Sequence, residues 1–123
     1  MINTTKKLYI LKGKAHNMKV KMYQTNGGKN LILDYILSLP TKEKEEGLTI
    51  IKKLTDEGKD ALDELDTRQI EGKLWEIKFH RHNRIFYCLV SDENIYLLHA
   101  CQKQKDKAEK FNINTAKKRL RDI

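Results

Sequence analysis

Between Lys73 and Leu89 the chain reads KLWEIKFHRHNRIFYCL, setting Lys73, Lys78, His80, Arg81, His82 and Arg84 among Trp75, Phe79, Phe86 and Tyr87. The residue types bear on phosphate chemistry. An arginine keeps its charge and offers a planar fork that matches two phosphate oxygens at once. A lysine is a point charge that can titrate when buried. Glu76 lies two residues before Lys78, on the same face of an extended strand, where it can orient Lys78 or Arg84 or accept a proton. Lys103 and Lys105 follow a later apolar run and add two cations. The set suits the floor of a site that grips a phosphodiester. It equally suits the solvated face of an ordinary hairpin, with Arg84 paired across to Glu76.

The elements that must position these residues are readable from periodicity. Leu74 to His80 alternates Trp75, Ile77 and Phe79 against Leu74, Glu76 and Lys78, and Asn83 to Val90 alternates Arg84, Phe86 and Cys88 against Ile85, Tyr87 and Leu89. Ile95 to Cys101 is an apolar run broken by His99. Short polar links join the three runs, so they form an antiparallel meander. Trp75, Phe79 and Tyr87 fit core positions better than base-stacking platforms.

Upstream, Lys19 to Thr25 reads as a short strand that pairs with the meander. Leu31, Ile32, Tyr35, Ile36 and Leu39 follow at helical spacing up to Pro40. Thr41 is the expected N-cap of a second helix, with Leu48, Ile51 and Leu54 as its apolar stripe and Gly58 as its stop. Residues 59–71 read as a helical turn and a connection. Ala108, Phe111, Ile113, Ala116, Leu120 and Ile123 suggest a C-terminal helix. The expected fold is α+β: an antiparallel sheet packed with an N-terminal αα-hairpin and a C-terminal helix.

The 123 residues suit one domain. No apolar run is long enough to cross a bilayer, and the opening patch LYIL is too short for a signal peptide, so a cytoplasmic protein is expected. Cys88 and Cys101 lie in strand-like runs without metal-ligand spacing and are expected as free thiols; neither metal nor cofactor is expected. The net charge of +8 is unevenly spread. Residues 1–33 hold seven Lys and no acid, residues 34–71 hold eleven acids against six bases, and residues 102–123 hold eight bases against three acids. Basic ends around an acidic middle favour a polyanionic partner.

Four stretches taken together carry a resemblance: VKMYQTNGGKNLILDYILSLP, GKLWEIKFHRHNRIFYCL, IYLLHACQKQ and TAKKRL. In this order and spacing they resemble the RelE/HigB-type toxins of bacterial toxin–antitoxin systems, and most of all the phage-derived branch of that superfamily. The likeness covers residues 18–123 as a single RelE/HigB-like toxin domain and leaves residues 1–17 as an N-terminal extension of unclear role. It implies a RelE-like fold and a metal-independent, ribosome-dependent mRNA endonuclease that inhibits translation. In that chemistry the ribose 2′-OH attacks the adjacent phosphate. The implied partners are mRNA in the ribosomal A site and a cognate antitoxin, often a helix-turn-helix protein, in a hetero-oligomer with the toxin.

By the same resemblance Arg84 takes the place of the phosphate-gripping arginine of an Arg-x-x-Tyr strand. Lys78 stands where the family has arginine. Lys103 and Lys105 fall near a Lys-Lys pair that Gln104 interrupts here. Arg84, Lys78, Glu76 and Lys103 are therefore the candidate catalytic residues. Lys73, Arg81, His82, His99 and Lys105 are the candidate RNA contacts, His99 because the family pattern keeps a histidine there. Some relatives carry a Tyr or His near the C-terminus, whereas the nearest aromatic here is Phe111, which leaves the general acid unassigned. That departure, with Lys78 in place of arginine, supports an alternative: a catalytically inactive RelE-like protein of phage or chromosomal origin that binds nucleic acid or a partner protein.

Overall fold

The computed structural model describes residues 18–123, so the N-terminal extension lies outside the described residues. A short strand β1 (Lys19–Met22) leads to helices α1 (Leu31–Leu37), α2 (Thr41–Glu57) and α3 (Lys59–Glu64). Four strands follow, β2 (Asp66–Glu71), β3 (Leu74–Phe79), β4 (Asn83–Ser91) and β5 (Asn94–Gln102), and the chain closes with α4 (Asp106–Arg121). The protein is α+β, with one five-stranded sheet in the order β1-β5-β4-β3-β2.

Local chemistry sets the helix ends. Asn30 caps α1 by accepting from the Leu33 amide at 3.0 Å. Pro40 occupies the cap of α2, so Thr41 is its first helical residue rather than the expected N-cap. Gly58, with φ of 65°, stops it. The buried stripe of α2 is Gly47, Ile50 and Leu54, one position off the expected Leu48 and Ile51. The reason is a helix crossing: a Cβ on Gly47 would stand 2.8 Å from Ile36 Cγ2, so the glycine lets α2 approach α1.

Residues 59–71 hold more structure than a turn and a connection. β2 pairs antiparallel with β3 (Thr67 opposite Ile77, Gln69 opposite Trp75), which widens the meander to four strands. β1 joins the other edge in parallel with β5, Val20 opposite Ile95. Helices α1–α3 carry the chain from β1 to β2 at the opposite edge, and the meander β2–β5 brings it back beside β1, the long connection that a parallel pair needs.

Both faces of the sheet are covered. Ile77, Phe79, Ile85, Tyr87, Ile95 and Leu97 pack against Ile32, Ile36, Ile50, Leu54 and Ala61 of the first three helices. Leu74, Phe86, Cys88 and Leu98 pack against Ala116, Ile113 and Leu120 of α4. β4 is therefore buried on both sides. A bulge on β5 pairs Phe86 with His99 but Tyr87 with Leu97, leaving Leu98 as the extra residue. It places Leu98 and His99 on the same face, toward α4.

Candidate functional site

Four side chains of alternating charge run from the outer strand across the sheet to α4. Arg68 on β2 lies directly opposite Glu76 on β3, and its Nε and Nη2 each reach Glu76 Oε2 at 2.9 Å. Glu76 Oε1 accepts from Arg84 Nε at 2.6 Å across the β3–β4 ladder. Arg84 Nη2 lies against the same oxygen without hydrogen-bonding geometry. Arg84 Nη1 then donates to Glu109 Oε1 in the first turn of α4. The guanidinium also sits 4.7 Å from the centre of the Phe86 ring.

Burial grades this row from its ends to its middle. Arg68 is exposed and Glu109 is 24% exposed, while Glu76 and Arg84 are 0% and 1% exposed. Burial works against the Arg84 charge, but the hydrogen bonds to Glu109 and Glu76 outweigh it and push its pKa above the usual value. Arg84 is thus a permanent cation held in one orientation, and Glu109 stands on its outward side.

Antiparallel pairing brings several other candidates to the same end of the sheet. Lys78 lies directly opposite Arg84, and Arg84 opposite Cys101. One step further, the Lys103 amide donates to the His82 carbonyl at 2.6 Å. Lys105 begins α4 as its cap residue. Lys78 and Arg81 border an open cavity of about 400 Å³ together with His80 and Glu46. Lys73 is not part of this group. It precedes β3, whose six residues, about 20 Å of strand, separate it from His80.

The tip of the β3–β4 hairpin is built under strain. His80 and Arg81 have φ of 47° and 70°, in the left-handed region that favours glycine. Two glutamates of α2 brace the residues on either side of Arg81. Glu46 accepts from the His80 amide at 3.1 Å and meets its Nδ1 at 3.0 Å. Glu43 lies 3.5 Å from His82 Nε2 and accepts from Asn83 Nδ2 at 2.8 Å. Tyr35 donates to Asn83 Oδ1 at 2.5 Å, which ties α1 into the same cluster. Non-glycine residues kept in such a conformation concentrate at functional positions.

His99 is half-buried, with both ring nitrogens engaged. Its ring stacks on Phe86 with centroids 6.0 Å apart. Arg119 can only donate, so its contact with His99 Nδ1 at 3.3 Å makes that nitrogen the acceptor. Nε2 therefore carries the proton and donates to Asn112 Oδ1 at 2.8 Å. Burial lowers its pKa, and the Arg119 and Arg84 charges add to that, against the pull of Asn112. Cys88 and Cys101 are free thiols. Burial pushes Cys101 up to about 11, so it is not a nucleophile at neutral pH.

Two members of the row, Arg68 and Glu109, escaped sequence reading. Their only signals were the alternation in DTRQIE before Gly72 and an acid in the first turn of a helix. Among the described residues, no three His, Cys, Asp or Glu side chains are placed to share a metal ion, and no helix is long and apolar enough to cross a membrane.

No curated protein matches the chain. The model of one family, described as phage-derived protein Gp49-like (DUF891), matches residues 34–121. That span runs from within α1 to the last residue of α4 and so contains the whole charged row, the strained hairpin and the basic β5–α4 junction. With most of its length matched, the chain belongs to the phage-derived Gp49-like family, which is related to the toxins of toxin–antitoxin systems.

Proposed function

We propose that the protein is the toxin of a toxin–antitoxin pair and acts as a metal-independent endoribonuclease on mRNA in the ribosomal A site. The observation that carries this reading is the setting of Arg84. It is a guanidinium pre-oriented by Glu76 and Phe86, at the end of the sheet where Lys78, Arg81 and Lys103 gather. In the reaction the 2′-OH loses its proton and its oxygen attacks phosphorus. The bond to the 5′-oxygen breaks, and that oxygen takes up a proton. Arg84 and Lys103 stabilise the charge on the phosphorane, and Lys78 is the candidate base. Glu109 occupies the outward side of Arg84, so a phosphate reaches the guanidinium by displacing that carboxylate. The cognate antitoxin, a helix-turn-helix protein, holds the toxin in check.

A second reading has its own observation. Arg84 is almost wholly buried and already paired with two carboxylates, which suits a structural role in a member that binds RNA or a partner protein without cutting it. Inducing the chain alone and mapping transcript ends on ribosomes separates the two. The first reading expects growth arrest with cut mRNA, and a loss of cutting of at least 100-fold in the half-buried Lys78→Ala variant. Growth arrest with intact transcripts overturns it in favour of the second.

A further inference from the structure

The outward face of α4 is not used by the site described above. Lys107, Lys110, Phe111, Asn114, Lys118 and Arg121 are all exposed. At about 100° per residue they fall within an arc of about 100°, opposite the face that packs on the sheet. None of the four cations has a carboxylate partner among the described residues, and no acid lies within the arc. Phe111 is 68% exposed, the most exposed large hydrophobic side chain among the described residues.

The order along the helix is informative. Lys107 and Lys110 form a pair one turn apart, and Lys118 and Arg121 form another. About 16 Å of helix axis separates the centres of the two pairs. Phe111 and Asn114 sit between them, uncharged. A straight rod with cations at both ends and an apolar and an amide group in the middle does not follow a flexible strand. It matches a shallow groove bounded by two phosphate rows. The minor groove of an RNA helix is wide and shallow and displays 2′-hydroxyls, which suit Asn114, and riboses, which suit Phe111.

We propose that this face of α4 is a docking surface for double-helical RNA, laid across the minor groove and separate from the cleavage site. The proposal rests on the RNA-directed reading given above and names where a structured RNA holds the protein.

The test is binding of the full-length protein to three probes of one sequence, an RNA duplex, a DNA duplex and unpaired RNA, at several salt concentrations. The RNA duplex is expected to bind best, with affinity falling about 100-fold between 50 and 200 mM salt for four phosphate contacts. Replacing Lys107, Lys110, Lys118 and Arg121 together by alanine should abolish that preference, and each single replacement should lower the salt slope by about one. Asn114→Ala should narrow the gap between the RNA and DNA duplexes. Unchanged duplex affinity in the fourfold variant overturns the proposal. So does tighter binding of unpaired RNA or of DNA. If the protein cuts no RNA but duplex binding depends on these residues, the nuclease reading fails and the docking surface stands.

Discussion

Arg84 and Glu76 are diagonal neighbours on β3 and β4, joined by an Nε–Oε1 hydrogen bond of 2.6 Å, and neither reaches solvent. An arginine expected as an open phosphate grip is therefore first a member of a buried ion pair. Breaking such a pair leaves one charge stranded, while replacing both partners by apolar groups removes the difficulty. Glu76→Gln should lower stability by about 3–5 kcal/mol in urea denaturation. The double variant Glu76→Leu, Arg84→Met should recover most of the loss. A double variant as weak as the sum of its single changes would show that the two residues are not energetically coupled. The pair also governs how Arg84→Ala is read: lost toxicity counts in favour of the guanidinium's role in chemistry only if the variant is shown to be folded.

Arg81 stores strain at an exposed position, with φ of 70° and no carboxylate partner among the described residues. A non-glycine residue in this region costs roughly 1–2 kcal/mol, part of which a glycine gives back through its unfolded-state freedom. Arg81→Gly should therefore raise stability by about 0.5–1 kcal/mol. If Arg81 contacts RNA, the same variant should bind RNA more weakly, so that stability and affinity move in opposite directions. A melting curve and a binding isotherm on one sample check both.

His99 links stability to pH. Its folded pKa lies below the ordinary 6.5 because burial and the Arg119 and Arg84 charges disfavour the imidazolium. As pH falls below 6.5 the unfolded chain takes up a proton that the folded chain refuses, so the contribution of His99 is complete above 6.5 and is lost on acidification. The wild-type protein should lose more stability than His99→Gln between pH 7 and pH 5. At pH 7 the variant should be weaker by about 1–3 kcal/mol, having lost a stacked ring with bonds to Asn112 and Arg119. Urea midpoints at the two pH values decide it; parallel declines in both proteins would remove His99 as the source.

Much of the architecture was legible in local patterns. Period-two alternation marked β3 and β4, helical spacing before Pro40 marked α1, and Gly58 marked the end of α2. These features depend on residues close together in the chain, where backbone sterics and side-chain period act directly. Composition likewise marked the basic character of the C-terminal segment.

Partnership and phase needed the tertiary structure. Phe111 belonged by spacing to an apolar stripe, yet it faces solvent. The sheet beneath α4 presents His99 and Arg84, so the helix turns Asn112 and Glu109 inward to meet them. The bulge at Leu98 that brings His99 to that face leaves no mark in the period of β5. β2 reads as a loop because an edge strand of Asp66, Thr67, Arg68 and Gln69 has little to bury, yet it carries the arginine that completes the row at Glu76. Residue types and spacing determined which groups can carry charge or titrate. Long-range packing decided which of them are sealed against one another and which remain open to a partner, because burial and pairing energies are set by neighbours distant in sequence.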